Sequence, residues 1–560
     1  MNDKKQMSRR SFLAYVGSGT AALLAASSGL SIFGSKASAE ERAEAIFTYP
    51  SDAIAASKGL IGPSNQDELL LPPGFTYDML AAYGDPINAK GDTFGFNNSG
   101  ISYHPAEGSS ANGLLWVNHE SADAFWVLGA KQNGHYSSAQ IEKLLYAQGG
   151  SVLGVSRDAA GGWKMDAASP YARRITGLNA FELVGPARGA KAVHGASRIQ
   201  GTFGNGFGGK TLWGTQLSAE NHAVDTAREA GLPQTHYGWI IEADPADAGF
   251  QLRKHTALGR FQHGTIDMSL AKDNRVVVYM GDSAAYACIY KYISKGSFDP
   301  RKGKANSNLL TDGILYAADL IRGRWIEITV QAVRDALNDL RFSLPSALEY
   351  TREELLGLFR EEADVYVYTS EAALILGATP TDRPKTVQTS PQEGLLFVTH
   401  TNNTAHGNLH GQISRLMEKN GDYGALEFSF ETVATGGLQS GFSSPSSLIA
   451  DHFGNLWIST DMGSSQLNQG AYAEFKNNGL FAVVSPLSTD RNIMQFASAP
   501  SEAALTGPCF TPDERTMFLA VQYPGANASE TSHPASTWPA GSGSKLPRPA
   551  VVAISGFFSY

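Results

Sequence analysis

The chain has 560 residues, of which 42% are hydrophobic and 17% charged, and its formal net charge is −9 at pH 7. This composition is typical of a globular protein and excludes a largely disordered one. The acidic balance argues against nucleic-acid binding, which needs a basic surface. With 59 glycines and 10% aromatic residues, the sequence favours an all-β protein with many tight turns. Two cysteines cannot build a disulfide framework, although one bridge stays open.

The first 39 residues predict an export signal. Arg9 and Arg10 precede a weakly apolar stretch from Ala14 to Phe33, and small residues at 37–39 offer a cleavage site. Paired arginines before a modest apolar run are typical of a twin-arginine signal peptide, with a membrane anchor as the alternative. We expect a periplasmic or extracellular protein without a stable membrane span. Residues 40–70 form an N-terminal extension in this interpretation, and residues 71–560 form one domain.

A repeated pattern runs through that domain, in which a turn residue precedes an apolar–aromatic–apolar run that closes on polar groups. The six segments are Gly113–Glu120, Lys210–Leu217, Arg275–Asp282, Gly394–Thr401, Gly454–Asp461 and Arg515–Gln522. Their spacing leaves room for units of four short strands, each roughly 40–60 residues long, with insertions. The sequence therefore predicts a six-bladed β-propeller, and a pair of β-sandwiches is the alternative.

One insertion has a helical pattern. Apolar residues recur at i, i+3 and i+4 within Ala332–Leu340 and Arg352–Arg360, which indicates helices. We expect a helical insertion over about residues 328–361 that caps one face of the propeller.

The polar residues that close the repeated segments indicate a possible metal site. Equivalent strand ends of all blades converge on the axis of a propeller, and these ends carry Asn118, His119, Glu120, Glu220, Asn221, His222, Asp282, His400, Asn402, Asn403 and Asp461. Carboxylates, amides and imidazoles are the groups from which hard-cation and mixed-metal sites are built. We hypothesise that Glu120, Glu220 and Asp282 meet around a metal ion. Each residue alone is better explained by the needs of a loop than by a function.

The order of several motifs resembles the PhoX-type alkaline phosphatases, a family of secreted bacterial enzymes. The resemblance extends from about Leu71 to Phe558 and rests on Leu71–Tyr77, Trp116–Glu120, Trp213–Glu220, Gly259–His263, Arg275–Asp282, Gly377–Pro384, Phe442–Pro445 and Thr506–Pro508. It implies a six-bladed propeller that binds calcium and, in active members, a pair of irons. It also implies hydrolysis of phosphate monoesters outside the cytoplasm.

The resemblance also implies roles for individual residues. Arg383, in an Asp-Arg-Pro motif, corresponds to an arginine that grips the phosphoryl group, and bidentate arginine contacts suit that task. Glu220 corresponds to a metal ligand, with Asn118 and Glu120 beside it. Asp282 is a further candidate ligand, which we infer from the convergence of strand ends. Adjacent metal ions would activate an oxygen nucleophile and neutralise the phosphoryl oxygens.

Several positions depart from the family pattern. Trp116 and Gly206 stand where cysteines are usual, Asn221 replaces the second acid after Trp-Gly-Thr, and Gly264, Lys385 and Ala504 stand where glutamates are expected. At Lys385 the exchange of carboxylate for ammonium changes the local charge by two units. The lysine would bind phosphate in place of a cation, or turn to solvent. We therefore expect a simplified site that favours calcium and disfavours iron.

Two functional hypotheses follow. The first is an exported, metal-dependent, phosphatase-like hydrolase that acts on small phosphate esters and is a monomer. The second is a non-catalytic or differently specific propeller that binds a ligand or partner in the cell envelope. A serine hydrolase, a P-loop enzyme and a zincin are disfavoured because the sequence lacks their G-x-S-x-G, Walker and H-E-x-x-H motifs.

Overall fold

Each of the six repeated segments contributes to a different β-sheet. A computed structural model describes residues 61–129, 136–489, 491–528, 534–539 and 546–557, so the expected signal peptide and residues 40–60 lie outside the described residues. Five segments contain a strand at the predicted place, and it is the second strand of its sheet. Lys210–Leu217 instead spans a turn, because one strand ends at Lys210 and the next begins at Gln216. Gly214, with φ of +88°, lies within that turn.

The strands are numbered in chain order and grouped into six sheets. β1 (Thr76–Ala82) joins the last sheet. The first sheet holds β2 (Asn98–Pro105), β3 (Asn112–His119), β4 (Gly149–Arg157), β5 (Trp163–Asp166) and β6 (Arg173–Ile175). The second holds β7 (Ala180–Val184), β8 (Arg198–Gln200), β9 (Asn205–Lys210), β10 (Gln216–Glu220), β11 (Ile240–Ala243) and β12 (Arg253–His255). The third holds β13 (His263–Leu270), β14 (Arg275–Asp282), β16 (Ile289–Ser297), β17 (Gly313–Asp319) and β18 (Arg324–Glu327), while β15 (Ala285–Ala287) pairs with β19 (Thr381–Asp382).

The remaining three sheets have four strands each. The fourth holds β20 (Pro384–Thr389), β21 (Leu395–His400), β22 (Gln412–Glu418) and β23 (Phe428–Thr435). The fifth holds β24 (Pro445–Ala450), β25 (Leu456–Thr460), β26 (Gly479–Val484) and β27 (Asn492–Ser498). The sixth holds β28 (Ala504–Phe510), β29 (Thr516–Gln522), β30 (Ala550–Ser555) and β1.

The sheets form a six-bladed propeller. The first strands β2, β9, β13, β20, β24 and β28 contact one another in that order, and β28 contacts β2, so the ring is closed. β1 pairs antiparallel with β30, which joins the two ends of the domain in one sheet. This radial arrangement leaves only short, protected sheet edges at the axis.

The repeated apolar runs reflect burial on both faces of each sheet. Along β14, Val276 and Val278 pack toward the second sheet, whereas Val277 and Tyr279 pack toward the fourth. Successive side chains of a strand point to opposite faces, so a sheet covered on both sides needs an uninterrupted apolar run. Adjacent sheets enclose one apolar cluster at each interface, which gives the ring its core.

The helices lie in the connections between strands. They are α1 (Ala124–Leu128), α2 (Ser138–Ala147), α3 (Ala223–Glu229), α4 (Val330–Asn338), α5 (Arg352–Leu358), α6 (Glu362–Val367) and α7 (Thr369–Ile375). The last four form the helical insertion, which continues to Ile375, beyond the predicted residue 361. They pack on the core between the second and third sheets. No helix in the described ranges is long and apolar enough to cross a membrane.

Two local features turn the chain toward the axis. The ladder between the first and second strands shifts register in each of the six sheets, as in a β-bulge. In addition, Asn97, Arg383 and Ser444, which directly precede β2, β20 and β24, have left-handed φ values of 43°, 58° and 55°. These features bring the polar ends of the strands to the centre of the ring.

Candidate active site at the propeller axis

Glu120 lies on the axis of the ring and is almost fully buried. It follows β3, and its Oε2 accepts hydrogen bonds from Ser99 Oγ at 3.3 Å and from Gln522 Nε2 at 3.0 Å. Its Oε1 accepts one from Asn221 Nδ2 at 3.1 Å. These donors come from the first, sixth and second sheets, so the carboxylate is held where three blades meet.

Lys385 also lies on the axis. Its Nζ is 2.8 Å from Asp461 Oδ2 of the fifth sheet and 5.5 Å from the ring centre of Phe207 of the second sheet. The β20–β21 ladder shifts between Pro384 and Thr386, so Lys385 is the bulged residue. A bulge re-aims a side chain, and here it directs a lysine of the fourth sheet into the centre. Only 13% of that side chain is exposed.

Lys385 and Asp461 each stabilise the charged form of the other. Although burial disfavours the ammonium, the carboxylates of Asp461 and Glu120 raise the pKa of Lys385. The Lys385 ammonium in turn lowers the pKa of Asp461, with a smaller contribution from Arg383. Both members of the pair are therefore charged at neutral pH.

Arg383 and His222 are exposed at the mouth of this site. In the part of the chain that the structure describes, no hydrogen bond or ion pair holds the Arg383 guanidinium. Desolvation by the surrounding atoms lowers the pKa of His222, and the positive charges of Lys385 and Arg383 lower it further. The negative charge of Glu120 partly opposes this shift. A neutral imidazole and a free guanidinium thus face solvent above the buried charges. We call Glu120, His222, Arg383, Lys385 and Asp461 the axial cluster.

Glu220 is not part of the axial cluster. Its Oε1 lies 2.6 Å from Lys254 Nζ, and neither side chain is exposed. The same oxygen accepts from Thr202 Oγ1 at 2.8 Å, and Oε2 accepts from the backbone N–H groups of Gly238 and Trp239. Four donors satisfy this carboxylate within its own sheet, so the arrangement describes a structural ion pair.

Asn118 is likewise engaged away from the cluster. Its Oδ1 accepts hydrogen bonds from Trp116 Nε1 and Ser218 Oγ, both at 2.7 Å. A chain of hydrogen bonds continues from Ser218 through Asn205 and Thr202 to Glu220. The two residues expected beside Glu120 as metal ligands thus belong to one buried network between the first and second sheets.

Asp282 ends β14, but its carboxyl group faces the helical insertion. Oδ1 accepts from the backbone N–H of Ala284 and Oδ2 from Ser370 Oγ of α7, both at 3.1 Å. Burial raises the pKa of Asp282 to about 7. The next residue, Ser283, donates to Asn221 Oδ1 at 2.6 Å and so touches the network around Glu120. Asp282 therefore lies beside the axial site without facing it.

The predicted convergence is thus realised in part. The structure brings Glu120 and Arg383 to the axis but not Glu220, Asn118 and Asp282, and among the described residues no three His, Cys, Asp or Glu side chains are placed to share a metal ion. Ser99 and Gln522 were missed as neighbours of Glu120. Gln522 closes the sixth repeated segment, so its position at a strand end was the available signal.

Gly206 and Gly264, two of the positions that depart from the family pattern, lie in close contacts at the axial cluster. A Cβ atom on Gly206 would lie 3.0 Å from Glu120 Oε1, so a side chain there would enter the axial site. A Cβ atom on Gly264 would lie 2.0 Å from the carbonyl oxygen of Lys385, closer than any side chain can approach. The first glycine allows β9 to approach Glu120 closely, and the second is required by the contact between β13 and β20.

The architecture and the axial cluster define a propeller with a polar, partly exposed site at its centre. The chain belongs to the alkaline phosphatase PhoX family, whose model matches residues 57–525. The family comprises metal-dependent phosphatases that act on phosphate esters, and its proteins are known as secreted.

Comparison with solved structures agrees with this membership. The structure of Pseudomonas fluorescens PhoX in complex with vanadate, a transition-state analogue, is 27% identical, covers 89% of this chain and 97% of that chain, and superposes with a TM-score of 0.76. A luciferin-regenerating enzyme (10% identity, 63% and 92% coverage, TM-score 0.27) and an α-L-arabinofuranosidase from Podospora anserina (8%, 61% and 88%, TM-score 0.28) are too distant to carry an argument. No curated protein matches the sequence.

The described residues do not fit the iron–calcium centre that the resemblance implies. The iron centre that the resemblance implies has cysteine ligands, but Cys288 and Cys509 are free, and burial raises the pKa of both thiols. A hard cation at Glu120 would need the Asn221 amide oxygen, whereas Ser283 donates to that oxygen and holds the amide nitrogen toward Glu120. The Lys385 ammonium already occupies the position of a cation beside Asp461.

Proposed function

We propose that this protein is an exported phosphate-ester hydrolase whose axial cluster binds the phosphoryl group. The observation that carries the proposal is the Arg383 guanidinium, which is exposed, without a hydrogen-bond partner in the described residues, and placed at the centre of a fold shared with a phosphatase over 89% of the chain. A guanidinium can donate two parallel hydrogen bonds to phosphoryl oxygens, which both binds and orients the group.

The other members of the cluster suit the same chemistry. Lys385 supplies a second positive charge, which stabilises the negative charge that develops on the phosphoryl oxygens. Asp461 holds the Lys385 ammonium in place before a phosphoryl group binds. His222, neutral and at the mouth, is able to accept a proton from an attacking water molecule. These roles for Arg383, Glu120 and their neighbours are our assignment.

The experiment that tests the function is release of inorganic phosphate from an aryl phosphate by the purified mature protein. We expect turnover that falls about 100-fold or more in Arg383→Ala, the loss typical of removing one donor to a developing oxyanion. Arg301→Ala is the matched control, because Arg301 is an exposed arginine paired with Asp299, outside the axial cluster. Failure to release phosphate from any aryl or alkyl phosphate would favour the alternative, a propeller that only binds its ligand.

The cofactor expected from the sequence, calcium, remains a separate prediction. Calcium could bind Glu120 only if Asn221 and Gln522 turned their amide oxygens toward it, because both now point amide nitrogens there. Calcium binding at Glu120 would therefore require both amide groups to turn. Elemental analysis of natively exported protein would measure bound calcium and iron.

Export by the twin-arginine route is also part of the proposal. It rests on Arg9 and Arg10 and on the secreted character of the family. Replacement of both arginines by lysine is expected to keep the protein in the cytoplasm, which cell fractionation would detect. Secretion of that variant at the normal level would contradict the assignment.

A further inference from the structure

Lys385 lies at the axis of the propeller and not on its outer surface. It belongs to the fourth sheet, yet it contacts Asp461 of the fifth and Phe207 of the second, and the charge of Glu120 in the first sheet raises its pKa. A side chain that reaches residues on both sides of the ring lies on the axis. The ring of Phe207 and the Asp461 carboxylate hold the ammonium there through a cation–π contact and a charged hydrogen bond.

Several charged groups of the axial cluster surround Lys385. Gly206 lets the backbone of β9 come close to Glu120, since a Cβ atom there would lie 3.0 Å from Glu120 Oε1. The Arg383 guanidinium, at the mouth, acts on the same carboxylate of Asp461 as Lys385 does. Two cations therefore lie within range of one group, and only the buried one has a partner.

The charges of the axial cluster balance without any metal. Lys385 and Arg383 carry two positive charges, and Glu120 and Asp461 carry two negative ones. A phosphate that enters between the two cations would replace Asp461 as the partner of Lys385, and Asp461, a third of whose side chain is exposed (33%), can turn to solvent. The negative charge of Asp461 repels phosphate and so lowers the affinity of the site for phosphate.

We infer that Lys385 serves as a built-in cation: the site binds a phosphate oxyanion between Arg383 and Lys385 without a divalent metal ion, and Asp461 is the counter-ion that the phosphate displaces. This inference rests on the proposed function only for the chemical class of its ligand. It goes further in replacing the metal requirement of the family by a side chain of this chain.

Titration calorimetry with inorganic phosphate tests the inference on the full mature protein after chelation and in the presence of EDTA. We expect wild-type protein to bind phosphate, with an affinity that changes less than about twofold when calcium replaces EDTA. Lys385→Met should lower the affinity about tenfold or more, the effect of one lost charged hydrogen bond. Asp461→Asn should raise it several-fold, which no merely structural role of the pair predicts.

The control is Lys295→Met, which removes a lysine from the exposed pair with Asp312 on the third sheet and should leave phosphate binding unchanged. Circular dichroism and thermal unfolding establish that each variant is folded, and Lys385→Arg, which keeps the charge, should retain most of the affinity if Lys385→Met does not fold. Phosphate binding that disappears in EDTA and returns with calcium would overturn the inference. So would wild-type affinity in folded Lys385→Met, or weaker binding by Asp461→Asn.

The calorimetry and the turnover assay fail independently. Turnover of an aryl phosphate without EDTA-resistant phosphate binding would remove this inference and leave the proposed function. EDTA-resistant binding that depends on Lys385, without turnover of any ester, would remove the function and leave the inference.

Discussion

The ammonium group of Lys254 lies 2.6 Å from Glu220 Oε1, and neither side chain has any exposed surface. Lys254 also stands 4.3 Å from the ring centre of Tyr237, so its charge is enclosed by one carboxylate and one aromatic face. The carboxylate that the sequence suggested as a metal ligand is thus neutralised by a lysine of its own sheet. A second pair, Lys291 and Glu418, repeats the arrangement between the third and fourth sheets at 2.9 Å.

Replacement of Lys254 is therefore expected to lower the free energy of unfolding and not to affect metal binding. Lys254→Met would leave the Glu220 carboxylate buried without its partner, which typically costs about 3–5 kcal/mol of unfolding free energy. Urea denaturation would measure this loss. Lys295→Met, in an exposed pair, is the control and should change stability by less than about 1 kcal/mol.

The double variant Lys254→Met with Glu220→Gln sharpens the test. Glutamine keeps an oxygen for the N–H groups of Gly238 and Trp239 while it removes the unpaired charge. We expect it to recover part of the lost stability. Loss of bound metal with unchanged stability in Lys254→Met or Glu220→Gln would instead return Glu220 to the role of a ligand.

Asp282 predicts a pH dependence of stability. Burial raises the pKa of Asp282 to about 7 in the folded protein, against about 4 in an unfolded chain. Because the folded state holds this proton more tightly, the stability that it contributes is complete below about pH 4 and is lost as the pH rises to about 7. The loss is at most about 4 kcal/mol, since each pKa unit corresponds to 1.36 kcal/mol.

Asp282→Asn tests that dependence because an amide keeps the shape and does not ionise. We expect it to be more stable than the wild type at pH 8, with a difference that shrinks toward pH 5. Parallel urea denaturation at the two pH values gives the measurement. An equal effect at both values would show that Asp282 titrates normally.

The close packing around Gly264 predicts that this position does not accept a side chain. A methyl group there would meet the carbonyl oxygen of Lys385 at 2.0 Å, so β13 and β20 would have to separate. We expect Gly264→Ala to cost about 3 kcal/mol, the upper part of the range for overpacking. Gly62→Ala is the control, because nothing lies within 4 Å of a Cβ atom at Gly62. A stable, fully folded Gly264→Ala would show that this contact between inner strands is loose.

The sequence predicted the fold well because the repeated pattern has a direct physical cause. Five of the six apolar runs contain the second strand of a blade, covered on both faces, and could be placed from this property alone. The pattern failed at Lys210–Leu217, where Trp213 lies in a turn, packs in the core between the second and third sheets and donates its Nε1–H to Glu242. An aromatic residue buried in a turn is indistinguishable by composition from one in a strand.

The site was harder to predict, because its chemistry depends on pairings between distant segments. Glu120, one of the residues named from the convergence of strand ends, lies where the first, second and sixth sheets meet. Nothing near Glu220 indicates that Lys254 neutralises it, and nothing near Lys385 indicates that a bulge aims it at Asp461. Such partners follow from sheet register, which the alternation of side chains leaves open when both faces are apolar.

The axial site also predicts how a metal site could be restored. Gly206→Cys would place a thiol beside Glu120, where a Cβ atom is 3.0 Å from Oε1 and the end of the glutamate can yield. Lys385→Glu would remove the ammonium and add a carboxylate near Asp461. Together they supply the soft and hard ligands that transition metals prefer.

We expect the double variant to bind about one zinc or iron per chain after dialysis, whereas the wild type binds none at the axis. Gly206→Ser with Lys385→Glu is the matched control, since it lacks the thiolate and should bind zinc more weakly. Elemental mass spectrometry would measure the metal content of the three proteins. Equal metal content would mean that a side chain at position 206 does not act as a ligand and that Lys385 does not exclude cations.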